Sequence, residues 1–185
     1  SGVQVRINRI ISVDEELAEQ YEKIAAPLTA ISKQLQRSLI RELKESRRGG
    51  KQTGLMMGRR LDAHALSRND GKVFYKNNLP NEIPELAVSL LLDESGSMSS
   101  RDRSTYARAS AIILYDFCRS LDIPVMVCGH STGYDTVELY SYAEFESFDQ
   151  DDRYRLMDIG ARRSNRDGAA LRYVAERLSK RPETG

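Results

Sequence analysis

The chain has 185 residues, 40% hydrophobic and 30% charged, which provides for one globular domain plus an extension and is too polar for a protein embedded in lipid. A formal net charge of +1 gives no general case for nucleic acid, no run is long and apolar enough for a transmembrane span, and the first residues carry no apolar segment of the signal type. Cys118 and Cys128 fall within apolar patterns and read as buried thiols of a reducing, cytoplasmic compartment rather than as a disulfide or metal pair.

Residues 14–46 carry Leu17, Tyr21, Ile24, Leu28, Ile31, Leu35, Leu39 and Leu43 three or four apart, the spacing of one helical face. Glu15, Glu16, Glu19, Lys23, Lys33, Arg37, Arg41 and Lys44 take the other face, and Pro27 predicts a kink or a split. Such a stripe is structural packing more often than a partner-binding surface. Arg47-Arg48-Gly49-Gly50-Lys51 ends the helix and, with Gly54, Gly58, Arg59 and Arg60, makes a basic stretch. Lacking aromatics to stack bases, it reads as a solvated linker, with nucleic-acid backbone binding as the alternative. Residues 61–66 predict a short helix or turn holding a structural His64. Lys72-Val73-Phe74-Tyr75-Lys76 predicts an edge strand after the Asn69-Asp70-Gly71 turn, and residues 77–84 a loop. The expected division is a helical extension over residues 1–53 and the main domain over residues 54–185.

Residues 87–92 form an almost unbroken apolar run that ends at Asp93. This predicts a buried parallel strand delivering polar groups to the carboxyl edge of a sheet, where open α/β folds place ligand sites. Asp93, Ser95 and Ser97 follow at alternate positions, so in extended or gently turning backbone one carboxylate and two hydroxyls converge. An all-oxygen cluster with one negative charge suits a hard cation that keeps several waters, such as Mg²⁺. Gly96 permits a tight bend, and Ser99, Ser100 and Asp102 suit the cap of a following helix.

That helix is expected over residues 103–121, with Ala107, Ala111, Leu114, Phe117, Cys118 and Leu121 toward the sheet. Asp122-Ile123-Pro124 then turns into a buried strand over residues 125–129, completing a parallel βαβ unit. His130-Ser131-Thr132 follows, with His130 structural or solvent-facing, and residues 136–142 alternate as an edge strand. Arg162-Arg163-Ser164-Asn165-Arg166-Asp167 opens a last helix to about residue 179, with Asp167 at a capping position.

The pattern Asp93-x-Ser95-x-Ser97, between an apolar strand and an amphipathic helix, resembles the metal-ion-dependent adhesion site of von Willebrand factor type A domains. The resemblance implies a Rossmann-like three-layer α/β fold in which Asp93, Ser95 and Ser97 ligate Mg²⁺ or Mn²⁺ and a partner's carboxylate takes an open position. In such domains a second loop supplies a metal-facing threonine before a helix. Asn165 stands at that place here and Asp167 two residues on, and an amide oxygen or a carboxylate serves the same cation.

That loop, with Gly58-Arg59-Arg60-Leu61-Asp62 and Lys72-Val73-Phe74-Tyr75, is similar to a bacterial subgroup: the C-terminal domains of cobaltochelatase accessory subunits and nitric-oxide-reductase activation proteins. Members of this group partner hexameric AAA+ ATPases of the MoxR or magnesium-chelatase kind. The resemblance therefore implies a non-catalytic recognition module, engaging neither nucleic acid nor membrane, in cobalt chelation for cobalamin biosynthesis or in oxidoreductase maturation. The chain has no Gly-x-x-x-x-Gly-Lys-Ser/Thr phosphate loop of its own.

Type A domains carry a third metal loop after the next strand, and this sequence stops at Arg181-Pro182-Glu183-Thr184-Gly185. A truncated sheet is therefore expected, open to completion by a second copy in a homo-oligomer. The competing reading makes Ser95 or Ser97 a hydrolase nucleophile, but no motif places His64 or His130 as its base.

Overall fold

A computed structural model of the chain describes residues 4–47, 51–57, 60–66, 71–77, 86–132, 136–147, 149–162 and 167–183. In chain order the strands are β1 (Gln4–Asn8), β2 (Lys51–Leu55), β3 (Arg60–Leu61), β4 (Phe74–Asn77), β5 (Val88–Asp93), β6 (Val125–Thr132) and β7 (Thr136–Ala143). The helices are α1 (Glu15–Arg47), α2 (Arg101–Ser120), α3 (Asp152–Arg155) and α4 (Asp167–Ser179), with 3-10 turns at Gly96–Ser99 and Leu156–Asp158.

The chain divides into two compact units, Ser1–Gln36 with Pro84–Gly185, and Arg37–Ile83. The boundary expected at residue 53 is not where it divides. β1 joins the main sheet, and the first half of α1 packs on the main core, which draws the N-terminus into the larger unit. The smaller unit holds an antiparallel sheet in the order β2-β4-β3. Lys51–Leu55 is thus a strand rather than linker, with a register irregularity between Gln52 and Leu55 where Gly54 takes a positive φ of 75°. The edge strand expected around Lys72–Lys76 lies instead between two others. Of the remaining basic stretch, Arg48, Gly49, Gly50, Gly58 and Arg59 lie outside the described residues, as do Asn69, Asp70 and most of the 77–84 loop.

The larger unit is α/β, with a four-stranded mixed sheet in the order β1-β7-β6-β5. β5 and β6 pair in parallel from Val88↔Val125 to Asp93↔His130, with α2 as the crossover, as the apolar periodicity predicts. α2 ends where Asp122 adopts a φ of 55° and Ile123 N–H reaches back to the Cys118 carbonyl at 2.8 Å, a left-handed cap that frees Pro124 to start the next strand.

Strand side chains alternate between two packed faces. Leu90, Leu92, Val125, Val127 and Tyr142 meet α1, α2 and the Leu156–Asp158 turn through Tyr21, Ala111, Ile112, Cys118 and Leu156. Leu91, Met126, Cys128, Val137 and Leu139 instead meet α4 through Ala170, Tyr173 and Val174.

Three expectations change here. Residues 136–142 are not an edge, because β1 pairs with β7 in parallel from Gln4↔Thr136 to Asn8↔Tyr140. β6 continues through His130, Ser131 and Thr132, all buried, since β7 pairs with them in antiparallel fashion. The fully buried strand is β6, flanked by β5 and β7, whereas β5 is only partly buried and has β6 as its neighbour among the described residues.

α1 runs unbroken through Pro27, which sits on the exposed side, where the carbonyl left without its N–H partner can turn to water. Tyr21 and Ala25 are buried and Leu17, Ile24 and Leu28 pack beside them. Farther along the stripe Ile31 and Leu35 are 45% and 47% exposed.

An ionic knot ties the residues after β1 to α3. Asp152 Oδ1 accepts from Arg155 Nη1 at 2.6 Å and Arg9 Nη2 at 2.7 Å, and Arg155 Nε donates to the Ile10 carbonyl at 2.8 Å. Asp152 and Arg155 are 1% and 3% exposed, so Asp152→Ala removes the buried acceptor that Arg9 and Arg155 share and leaves Arg155 with Asp149 at 2.7 Å, at an expected cost of about 2 kcal/mol in urea unfolding.

Burial raises the thiols of Cys118 to about 11 and Cys128 to about 12, and the Tyr115 hydroxyl to about 12. The unfolded chain sheds these protons near their ordinary values while the folded chain retains them. Stability is therefore expected to fall as pH rises from about 9 toward 12, and a thiol reagent at pH 8 should label both cysteines only after denaturation.

Candidate metal centre

At the carboxyl end of β5 the chain leaves the sheet at Asp93 and enters the 3-10 turn Gly96–Ser99, whose Met98 N–H donates to the Ser95 carbonyl at 2.9 Å. Asp93 and Ser97 are exposed and Ser95 is buried. Ser95 N–H donates to Asp93 Oδ1 at 2.8 Å, which folds the carboxylate over the turn. The hydroxyls of Ser95 and Ser97 lie 3.0 Å apart. Neighbouring ligands of an octahedral Mg²⁺ stand about 3.0 Å apart, given Mg–O distances of about 2.1 Å. The residues present thus fit a hard cation in donor type, and the two hydroxyls fit it in spacing.

Ser100 occupies the N-cap of α2 without a side-chain cap bond, so of the three candidate caps it takes the position alone and leaves the helix start to its backbone. The helix begins at Arg101, two residues ahead of the expected start.

The second candidate segment is only partly placed. Asn165 lies outside the described residues, and Asp167 is the first residue of α4. His64 is exposed in the smaller unit. His130 is buried in β6, in register with Asp93, and its carbonyl accepts Glu94 N–H at 2.9 Å, which places it among the structural residues.

The residue that sequence reasoning passed over is Glu94, fully buried between two candidate ligands. The Tyr142 hydroxyl donates to its Oε1 at 2.5 Å, Gly160 N–H to the same oxygen at 3.1 Å, and Arg162 Nε to Oε2 at 3.0 Å. Burial pushes the Glu94 carboxyl above its ordinary value, opposed by the bonds from Tyr142, Arg162 and Gly160. Arg162 Nη2 also donates to Asp158 Oδ2 at 2.6 Å and to the Tyr142 oxygen at 3.2 Å, and its guanidinium carbon lies 3.8 Å from the centre of the Tyr140 ring.

Beside this network opens a cavity of about 470 Å³ lined by Arg9, Tyr140, Tyr142, Asp158 and Arg162 among others. Both of its arginines are engaged by carboxylates, Arg9 by Asp152 and Arg162 by Glu94 and Asp158, which leaves little positive charge for an anion.

The signal for Glu94 was present in the alternation itself. If Asp93 and Ser95 face one way, the side chain between them must face the other and enter the core. Compared with known proteins, the sequence matches no family model and no curated protein.

Glu94→Ala removes the buried acceptor for the Tyr142 hydroxyl, the Arg162 Nε and the Gly160 N–H and leaves a void among them, while Arg162 keeps Asp158. A loss of about 3–5 kcal/mol is expected in urea unfolding, against less than about 1 kcal/mol for Asp93→Ala at the exposed neighbouring position.

Proposed function

We propose that this chain is a metal-dependent protein-interaction module of the von Willebrand factor type A kind. Asp93, Ser95 and Ser97 would hold Mg²⁺ or Mn²⁺, with Asn165 or Asp167 completing the protein's share. The observation that carries the reading is the pair of hydroxyls 3.0 Å apart beside the Asp93 carboxylate at the carboxyl end of a sheet strand. One carboxylate and two neutral hydroxyls leave a dication undercharged and incompletely coordinated, so the bound ion offers a position to a carboxylate from outside.

The partner that suits such a site is a protein presenting an exposed Asp or Glu. By resemblance this is a hexameric AAA+ ATPase of the MoxR or chelatase type, served by this chain as an accessory subunit in cobalt chelation or oxidoreductase maturation. ATP hydrolysis would then belong to the partner. Against a serine nucleophile stands the bonding of Ser95 Oγ, whose partner is the Ser97 hydroxyl, a group too weakly basic to take its proton.

Calorimetric titration is expected to give saturable binding of Mg²⁺ or Mn²⁺ by the wild type and loss of that binding in Asp93→Ala and Ser97→Ala. Retention of a candidate ATPase on the immobilised chain should require the ion and disappear with chelator. A wild type that takes up neither ion, alone or with the ATPase present, rules the site out.

A further inference from the structure

Glu94 stands between Asp93 and Ser95, and metal binding alone gives it no task. Its side chain is fixed on the inner side of the strand by the Tyr142 hydroxyl, Gly160 N–H and Arg162 Nε. The bare α-carbon of Gly129 makes the room: a Cβ there would come within 2.4 Å of Glu94 Oε2. Both backbone groups are fixed as well, the N–H to the His130 carbonyl at 2.9 Å and the carbonyl by Arg162 N–H at 2.7 Å. A residue held at its side chain and at both ends of its backbone has no freedom to rotate, and in extended chain its two neighbours must then face the opposite way.

We propose that Glu94 is the positioning residue of the Asp93-Ser95-Ser97 cluster, its inward anchor setting the outward convergence of the three oxygens. The proposal rests on the metal reading above and adds to it a residue that touches no ion. Arg162 extends the same anchor to the chain that follows the Leu156–Asp158 turn, through its guanidinium and its backbone N–H alike. Residues behind the ligands commonly govern affinity in this way, by holding weak ligands where the ion needs them.

The test is Mn²⁺ binding, followed by the free-ion paramagnetic resonance signal, in the wild type, Glu94→Gln, Gly129→Ala, Tyr142→Phe and Asp152→Asn. Glu94→Gln keeps the shape and loses the charge facing Arg162. Gly129→Ala displaces the carboxylate without altering any proposed ligand, and Tyr142→Phe removes one donor while keeping the ring. The first two are expected to weaken Mn²⁺ roughly 10- to 100-fold and Tyr142→Phe roughly 3- to 10-fold, with a broadened spectrum of the bound ion. Asp152→Asn weakens a buried ion pair elsewhere in the same unit and should lower the melting temperature while leaving affinity within about twofold.

Unchanged affinity in Glu94→Gln and Gly129→Ala overturns the proposal. So does a loss that follows the melting temperature across all four variants, Asp152→Asn included. Should either of the first two variants not fold, unchanged affinity in Tyr142→Phe has the same force. A wild type that binds no Mn²⁺ overturns the metal reading, and the positioning role with it.

Discussion

A carboxylate with almost no access to water sits where three strands and a loop of the larger unit meet. Glu94 comes from the end of β5, Tyr142 from β7, Gly129 from β6, and Gly160 and Arg162 from the chain that follows the Leu156–Asp158 turn. Taking such a group out of water costs several kcal/mol, and only a complete set of donors offsets it. Each donor therefore has to be where it is. Arg162 is held in turn by Asp158 and by the face of Tyr140, so the network continues outward until it reaches solvent at groups that water can satisfy. A hydrophobic core would tolerate small slips among these elements, whereas a half-satisfied buried ion would not.

The route from sequence to this arrangement was open in some places and closed in others. The run over residues 87–92, the stripe from Ala107 to Cys118 and the apolar segment from Val125 announce a parallel βαβ unit because each buries a face with its own period. The Asp93-Ser95-Ser97 spacing was legible for the same reason. Glu94 was overlooked because a charged residue after an apolar run suggests that the chain has left the core, and hydropathy cannot see a partner 68 positions away in the chain. The clue lay in combining two local facts, the alternation around Glu94 and a glycine in the middle of a strand at position 129, which commonly marks a close approach by something bulky.

The N-terminal residues illustrate a different limit. Gln-Val-Arg-Ile-Asn over β1 is short and mostly exposed, with too little apolar content to announce a strand, and it is ordered by backbone pairing to β7 and by the Arg9 and Ile10 contacts that follow. Pairing of this kind belongs to the partner strand as much as to the segment, so no window of local sequence contains it. α1 presents the converse case. Its apolar stripe is regular from Leu17 to Leu39, yet among the described residues it is the part up to Leu28 that packs on the main core, while Ile31 and Leu35 remain exposed. Periodicity reports that a helix has an apolar face and is silent on what meets it.

The turn after β5 places two kinds of chemistry on opposite sides of a few residues. Inward, a full charge is neutralised by donors that cannot move. On the other side, the exposed Asp93 carboxylate accepts the Ser95 N–H, and the hydroxyls of buried Ser95 and exposed Ser97 satisfy one another at 3.0 Å. Neutral hydroxyls are poor competitors against water for a hard cation, because each offers an ion little that its hydration shell does not already supply. What a protein can add is to bear the cost of assembling them beforehand, during folding rather than during binding. On the proposed reading that cost is met by the inner face: the donors that make the Glu94 carboxylate tolerable in the core also remove the freedom of the backbone on which Asp93 and Ser95 are mounted. The stability of the buried charge and the readiness of the ligand oxygens are then two consequences of one constraint, and neither can be relaxed without loosening the other.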